Sequence, residues 1–173
     1  MSETKHYDIE IHHVKRDAWQ VIGMDDKFDN NNRNPKLYYS WSKYKKANAY
    51  EILAPYQTEG MELGIFYNDE PGHYHYLIGG VVGEVDEVPE GFKLVKFPAS
   101  EFLIVTHEWS KNKVDAKKQI GRIVAYAHSD ELKFPDGYEK CTEHLAFVEG
   151  YNFNTFGSKR HRFEVWLAMK KAE

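Results

Sequence analysis

A single cysteine, Cys141, stands in a chain of 173 residues. That excludes an internal disulfide framework and the multi-cysteine sites that hold structural zinc or iron–sulfur clusters. No run approaches the roughly 20 apolar residues of a membrane-spanning helix. The opening Met1-Ser2-Glu3-Thr4-Lys5-His6 passes into an Ile9/Ile11 alternation without the apolar core of a secretion signal. The expectation is a cytoplasmic protein with no membrane partner. A basic surplus is lacking too, since 23 Lys and Arg against 27 Asp and Glu leave a net charge of −4. Nucleic-acid binders carry a basic stripe, whereas Lys43/Lys45/Lys46 and Lys117/Lys118 are short clusters that read as solvated helix faces, so no direct nucleic-acid contact is expected.

Chemistry-bearing motifs are equally sparse. Gly79-Gly80-Val81-Val82-Gly83 lacks the lysine of a phosphate-binding loop, and no His-Glu-x-x-His occurs. Among nine histidines, His73 and His75 stand two apart on one face of a predicted strand, while His12-His13 would point oppositely and the rest are scattered. A structural or surface role outweighs a metal role for all of them, and no cofactor is expected. Cys141 lies in a polar stretch with no evident activating base.

What is present is an ordinary globular balance, 42% hydrophobic and 29% charged, together with an aromatic content of 15% from 12 Tyr, 10 Phe and 4 Trp. Aromatic side chains beyond the needs of a core often line pockets or interfaces.

Alternation predicts strands over residues 7–14 (Tyr7, Ile9, Ile11 on one face) and Trp19–Met24, closing at Gly23. Asp25–Asn34 reads as loop from its Asp and Asn content. Asn34-Pro35 reads as a helix start, with Leu37, Trp41 and Tyr44 on one face as far as about Asn48. Leu63–Tyr67 and Tyr74–Val85 form a hairpin about Asn68-Asp69-Glu70-Pro71-Gly72. Beyond Val88-Pro89-Glu90-Gly91-Phe92 the order recurs: strands at Phe92–Phe97 and Phe102–His107, a helix over Val114–His128 with Ile120, Ile123, Val124 and Ala127 inward, then strands at Leu145–Glu149 and Arg162–Met169. Arg16-Asp17-Ala18 and Pro98-Ala99-Ser100 break the strands at matching points. The implied fold is a single α+β domain over 1–173, made of two strand-helix-strand-strand units (about 5–87 and 88–171). Their strands form one antiparallel sheet with helices on one face and a ligand cleft between the repeats.

Three segments carry a family resemblance: Gly79–Val85, Val88–Phe92 and Phe97-Pro98-Ala99-Ser100-Glu101-Phe102, with Arg162-Phe163-Glu164-Val165-Trp166 near the end. In this order they resemble the gyrase-inhibitor-like small-molecule-binding family, which includes the effector-binding domains of AraC-type and MerR-type regulators. The resemblance runs from Ile9 to Met169. It implies a duplicated strand-helix-strand-strand (SHS2-like) fold and a stand-alone binder of amphipathic, cationic aromatic molecules, acting as a drug sensor or sink without a DNA-binding domain. It implies an aromatic pocket with one acid, carried here by Glu164, with Trp41, Tyr67, Tyr126 and Trp166 as ligand-binding aromatics. Trp166 departs from the family's usual tyrosine, and Leu132-Lys133-Phe134 lengthens the loop after the second helix.

Alternation alone puts Glu164 and Trp166 on one strand face, where a carboxylate is either a cation receptor or the partner of Arg160 or Arg162. Two other classes stay open. Some family members hydrolyse electrophilic compounds, and Glu164 as general base with Tyr126 or Tyr67 as donor would suit that reaction. A protein partner, such as a topoisomerase, is the other.

Overall fold

The computed structural model describes residues 8–110, 116–152 and 160–173. Tyr7 of the first expected strand and Val114 at the expected start of the second helix lie outside them. The elements, in order, are β1 (Glu10–Arg16), β2 (Trp19–Asp29), α1 (Leu37–Lys46), α2 (Ala49–Leu53), β3 (Glu62–Tyr67), β4 (His73–Val82), β5 (Lys93–Phe97), β6 (Ser100–Ser110), α3 (Ala116–Ala127), β7 (Tyr138–Lys140), β8 (Leu145–Tyr151) and β9 (Arg160–Lys171). The fold is α+β, an antiparallel sheet with few helices, as the sequence implied. Among the described residues no helix is long and apolar enough to cross a membrane.

Composition misleads in three places. β2 continues through Asp25–Asp29, because every residue from Gln20 to Asp29 is paired with β4 and ladder bonds outweigh the low strand preference of Asp. Gly23 is therefore not a strand end. It faces Gly79 across the ladder, where an added Cβ would lie 2.2 Å from the Ile78 carbonyl oxygen, so the pair marks a close backbone approach. The first helix begins at Leu37, after Asn34-Pro35, with no side-chain cap on Lys36. It ends at Lys46; Asn48, whose φ of 55° is left-handed, then turns the chain and α2 follows as a separate helical turn. The three-residue β7, which pairs with β9, carries no sequence signal at all.

The main strand path is β1-β6-β9-β8-β3-β4-β2-β5. Only Asp17 and Ala18 separate β1 from β2, yet six strand intervals lie between them in the sheet. Pro98-Ala99 ties β5 to β6 across six intervals in the same way. Six intervals of a flat sheet span roughly 29 Å, whereas the three Cα steps across each linker reach at most about 11 Å. The sheet therefore has to roll until its edges approach, with one face inside the curl.

Among the described residues that inner face carries no helix, and its apolar side chains meet across the curl. Trp19 of β2 stacks on Phe97 at 4.5 Å and reaches Phe102 of β6 and Trp166 of β9 at centroid distances of 6.1 and 5.9 Å. Aromatic pairs of this kind add about 0.5–1.5 kcal/mol each beyond area burial. The outer face carries α1, α2 and α3. The α1/α2 pair covers β2 and β4 through Tyr44, Ala49 and Leu53, and α3 covers β6 and β9 through Ile123 and Ala127. Between these two helical layers the β3–β8 ladder is left as a seam.

Candidate functional site

Alternation on β3 and β8 decides what lines the seam. Glu62, Gly64 and Phe66 share the helix-bearing face, opposite Tyr151, Glu149 and Phe147 in register, while Leu63, Ile65 and Val148 point to the inner core. Tyr76 of β4 leans across Gly64, where an added Cβ would come within 2.4 Å of the phenol oxygen; glycine is required there by close approach. The α1 layer contributes Trp41, whose ring lies 5.3 Å from Tyr151 and whose indole N–H donates to the Tyr76 hydroxyl at 2.9 Å. Phe66 packs on Tyr76 and on Phe147, both at 4.6 Å, and Phe147 meets His128 just beyond α3 at 4.7 Å. Trp41, Phe66, Phe147 and Tyr151 are all half-buried. At one end the seam opens into a cavity of about 630 Å³ lined by Leu37, Phe66, Tyr74, Phe147 and the Asn30–Pro35 loop.

Two carboxyls sit in this aromatic setting. Glu62 is buried and accepts from the Tyr44 hydroxyl at 2.5 Å and from Gln57 at 3.1 Å. Glu149, half-buried, accepts from the Tyr151 hydroxyl at 2.6 Å. Desolvation pushes both above the ordinary carboxylate range, and the hydroxyl bonds only partly offset it. The Tyr44, Tyr76 and Tyr151 phenols are likewise pushed well above their ordinary value, first by burial and then by the neighbouring carboxylates, so they remain donors. Among the described residues no Lys, Arg or His lies within ion-pair distance of Glu62 or Glu149, so the seam carries potential negative charge without a counter-ion.

The residues singled out in the sequence do not converge on one cavity. Trp41 is in the seam and Tyr126 packs in the α3 layer. Glu164, Trp166 and Tyr67 lie on the opposite, inner face, with the whole sheet between. There Glu164 accepts from the Arg162 guanidinium and the Trp166 indole N–H, both at 2.7 Å, and Arg162 also reaches Glu108 at 3.2 Å. The Arg16 guanidinium, held by Glu59 at 2.6 Å, lies 5.1 Å from both the Trp19 and Trp166 rings. Tyr67 stacks on His75 at 4.7 Å, donates to Asp25 at 2.9 Å and borders a 520 Å³ cavity whose rim carries Lys93 and Lys96. Glu164 is thus paired with Arg162, one of the two arginines that alternation offered it.

Sequence reasoning missed Glu62, Tyr76, Glu149 and Tyr151. A usable signal existed: Glu62 and Glu149 are acids at the ends of apolar strand segments, in phase with Phe66 and Phe147.

The family described as Cass2, integron-associated effector binding protein, matches residues 10–169. No curated protein matches the sequence. Among solved structures, SAV2435 bound to tetraphenylphosphonium superposes with a TM-score of 0.67 at 13% identity, over 93% of this chain and 94% of that one. A Staphylococcus aureus protein described as a putative bacterial transcription regulation protein gives 0.65 at 13%, over 93% and 98%. An integron cassette protein from the Vibrio cholerae mobile metagenome gives 0.56 at 11%, over 92% and 95%. At these identities the likeness is one of fold.

Proposed function

The chain belongs to the Cass2 family of integron-associated effector binding proteins, and from that premise we propose that it binds amphipathic, cationic aromatic small molecules in the seam between its helical layers. The observation that carries this reading is the pair Glu62 and Glu149, desolvated among half-buried aromatics with no cation beside them among the described residues. A lipophilic cation supplies the missing counter-charge, and Trp41, Tyr151, Phe66 and Phe147 supply faces for it, at about 0.5–2 kcal/mol per cation–π contact. A neutral ligand gains the stacking but leaves the carboxyls uncompensated. An anion meets repulsion. That the structural relative SAV2435 holds tetraphenylphosphonium agrees with this choice of ligand class. We place the binding seam between repeats spanning about 5–87 and 88–171, and assign the protein a sensing or sequestering role.

The test is calorimetric titration with tetraphenylphosphonium and, as an isosteric anion, tetraphenylborate. Saturable binding of the cation at micromolar concentration, with no saturable binding of the borate, is expected. Equal binding of both, or of neither, overturns the proposal. The same samples, assayed for breakdown of an ester-bearing aromatic cation, are expected to return it intact.

A further inference from the structure

The β3–β4 turn gathers a second set of side chains that the seam does not use. Asp69, Glu70 and His75 each offer one ligand atom, and the three atoms lie within 4.8 Å of one another. The His75 ring is buried, with Nε2 2.7 Å from Asp69 Oδ1 and Nδ1 2.7 Å from Asp25 Oδ2. Asp25 is fixed in turn by the Tyr67 hydroxyl at 2.9 Å and the Lys93 ammonium at 3.2 Å. A carboxylate behind an imidazole is the usual device for orienting a metal-ligating histidine, because it takes the Nδ1 proton and leaves the Nε2 lone pair facing the ion. His73 stands two residues earlier on the same strand face. Its Nδ1 is buried without a hydrogen-bond partner, 3.9 Å from Glu70 Oε1.

We propose that Asp69, Glu70, His73 and His75 form a Zn²⁺ site on the β3–β4 turn, with Asp25 as the orienting partner of His75. Two imidazoles and two carboxylates are a donor set that suits zinc. Ligand atoms about 2.1 Å from a tetrahedral zinc lie roughly 3.4 Å apart, so Asp69, Glu70 and His75 close on an ion with shifts of about an ångström, and His73, nearest to Glu70, turns its ring to complete the four. Asp69 and Glu70 are exposed side chains on a turn and can make that shift. The competitor is Lys27, which pairs with Glu70; both side chains are near half exposed, and surface pairs of this kind are weak. Tyr74, between the two histidines, lines the 630 Å³ cavity on the other face, so the ion would brace the strand end that forms part of the seam's mouth.

Zinc alone is the probe. Titration of the full chain with ZnCl₂ against a chromophoric chelator is expected to give one ion per chain, with a rise in melting temperature. Asp69→Asn and Glu70→Gln, both exposed and so compatible with folding, are each expected to weaken binding at least tenfold. His73→Gln is expected to do the same, while the exposed pair His12→Gln/His13→Gln leaves affinity unchanged. No saturable zinc binding, or affinity unaltered in both Asp69→Asn and Glu70→Gln, overturns the proposal. Tetraphenylphosphonium binding is read separately on the same variants, so failure of the seam reading leaves this test intact.

Discussion

The two faces of one sheet bury carboxylates in opposite ways. On the inner face, Glu164 has a guanidinium at 2.7 Å and an indole N–H at 2.7 Å, and the tryptophan beside it already has Arg16 over its ring at 5.1 Å. There the chain itself supplies a cation and an indole donor to the carboxylate, and a cation to the indole ring. On the helix-bearing face, Glu149 has a tyrosine hydroxyl and Glu62 a tyrosine hydroxyl and an amide, with no cation from the described residues. Neutral donors do not repay the desolvation of a charge, whereas an opposite charge can. The difference teaches that an acid in an apolar strand marks a receptor only where its own fold leaves it without a counter-ion.

Exchanging the carboxyl for an amide on each face in turn tests this contrast with the largest expected effect. Glu149→Gln keeps a hydrogen-bond acceptor for Tyr151 and removes the charge. It is expected to weaken tetraphenylphosphonium binding ten- to a hundredfold, about 1.4 kcal/mol per decade. Glu164→Gln is expected to leave that affinity within twofold while lowering stability by about 1–2 kcal/mol, because half-buried Arg162 then keeps, among the described residues, Glu108 alone as an ionic partner. Calorimetric affinities and urea midpoints separate the outcomes. A tenfold loss of affinity in Glu164→Gln, with none in Glu149→Gln, would transfer the site to the inner face.

Much of the frame was legible in the sequence, because strand alternation and helix periodicity report which side chains must be buried. The hairpin at Asn68–Gly72, the inward face of α3 and the shared face of Glu164 and Trp166 followed directly from spacing, and the family signature supplied the order. The strand breaks at Asp17-Ala18 and Pro98-Ala99 were visible as well, but what they do was not. Each links strands six intervals apart, and that rolling of the sheet is a property of the topology, not of either segment. The same holds for the site. Glu164 and Trp41 look alike as pocket candidates until pairing places the sheet between them. Glu62 and Glu149 sit 87 positions apart in sequence, and nothing local announces that the β3–β8 ladder brings them to one seam. Nor does sequence distance reveal that Arg16 and Arg162 neutralise the inner face.

A second way to sharpen the contrast is pH. The Glu149 and Glu62 carboxyls are raised by desolvation, so the folded chain holds their protons above the range where an unfolded chain releases them. A cation favours the ionised form, so tetraphenylphosphonium affinity is expected to fall as pH drops from 8 through the raised carboxyl range toward 5. Stability of the free protein runs the other way. A raised folded pKa contributes stability that is fully present below the unfolded pKa and is lost as pH rises through the folded one. Melting temperature without ligand should therefore decline from pH 5 to 8 less steeply in Glu149→Gln than in the parent. A parent whose affinity is flat from pH 8 to 5 would remove the carboxyls from the site.

The smallest effect concerns Trp41, and it distinguishes the faces by spectroscopy. Of the four tryptophans, Trp19, Trp109 and Trp166 are buried and Trp41 is half-buried in the seam. A ligand in the seam should quench mainly Trp41, whereas a ligand on the inner face should quench Trp19 and Trp166. Trp41→Phe keeps an aromatic face but removes the best cation–π platform and the N–H donated to Tyr76, a loss of about 0.5–1 kcal/mol. The expectation is a two- to fivefold weaker affinity by calorimetry, together with near-complete loss of ligand-induced quenching. Those two readouts diverge only if the ligand sits on the helix-bearing face. Quenching that survives in Trp41→Phe would put the ligand against Trp19 and Trp166, displacing Arg16 from their rings, and would reverse the assignment of the two faces.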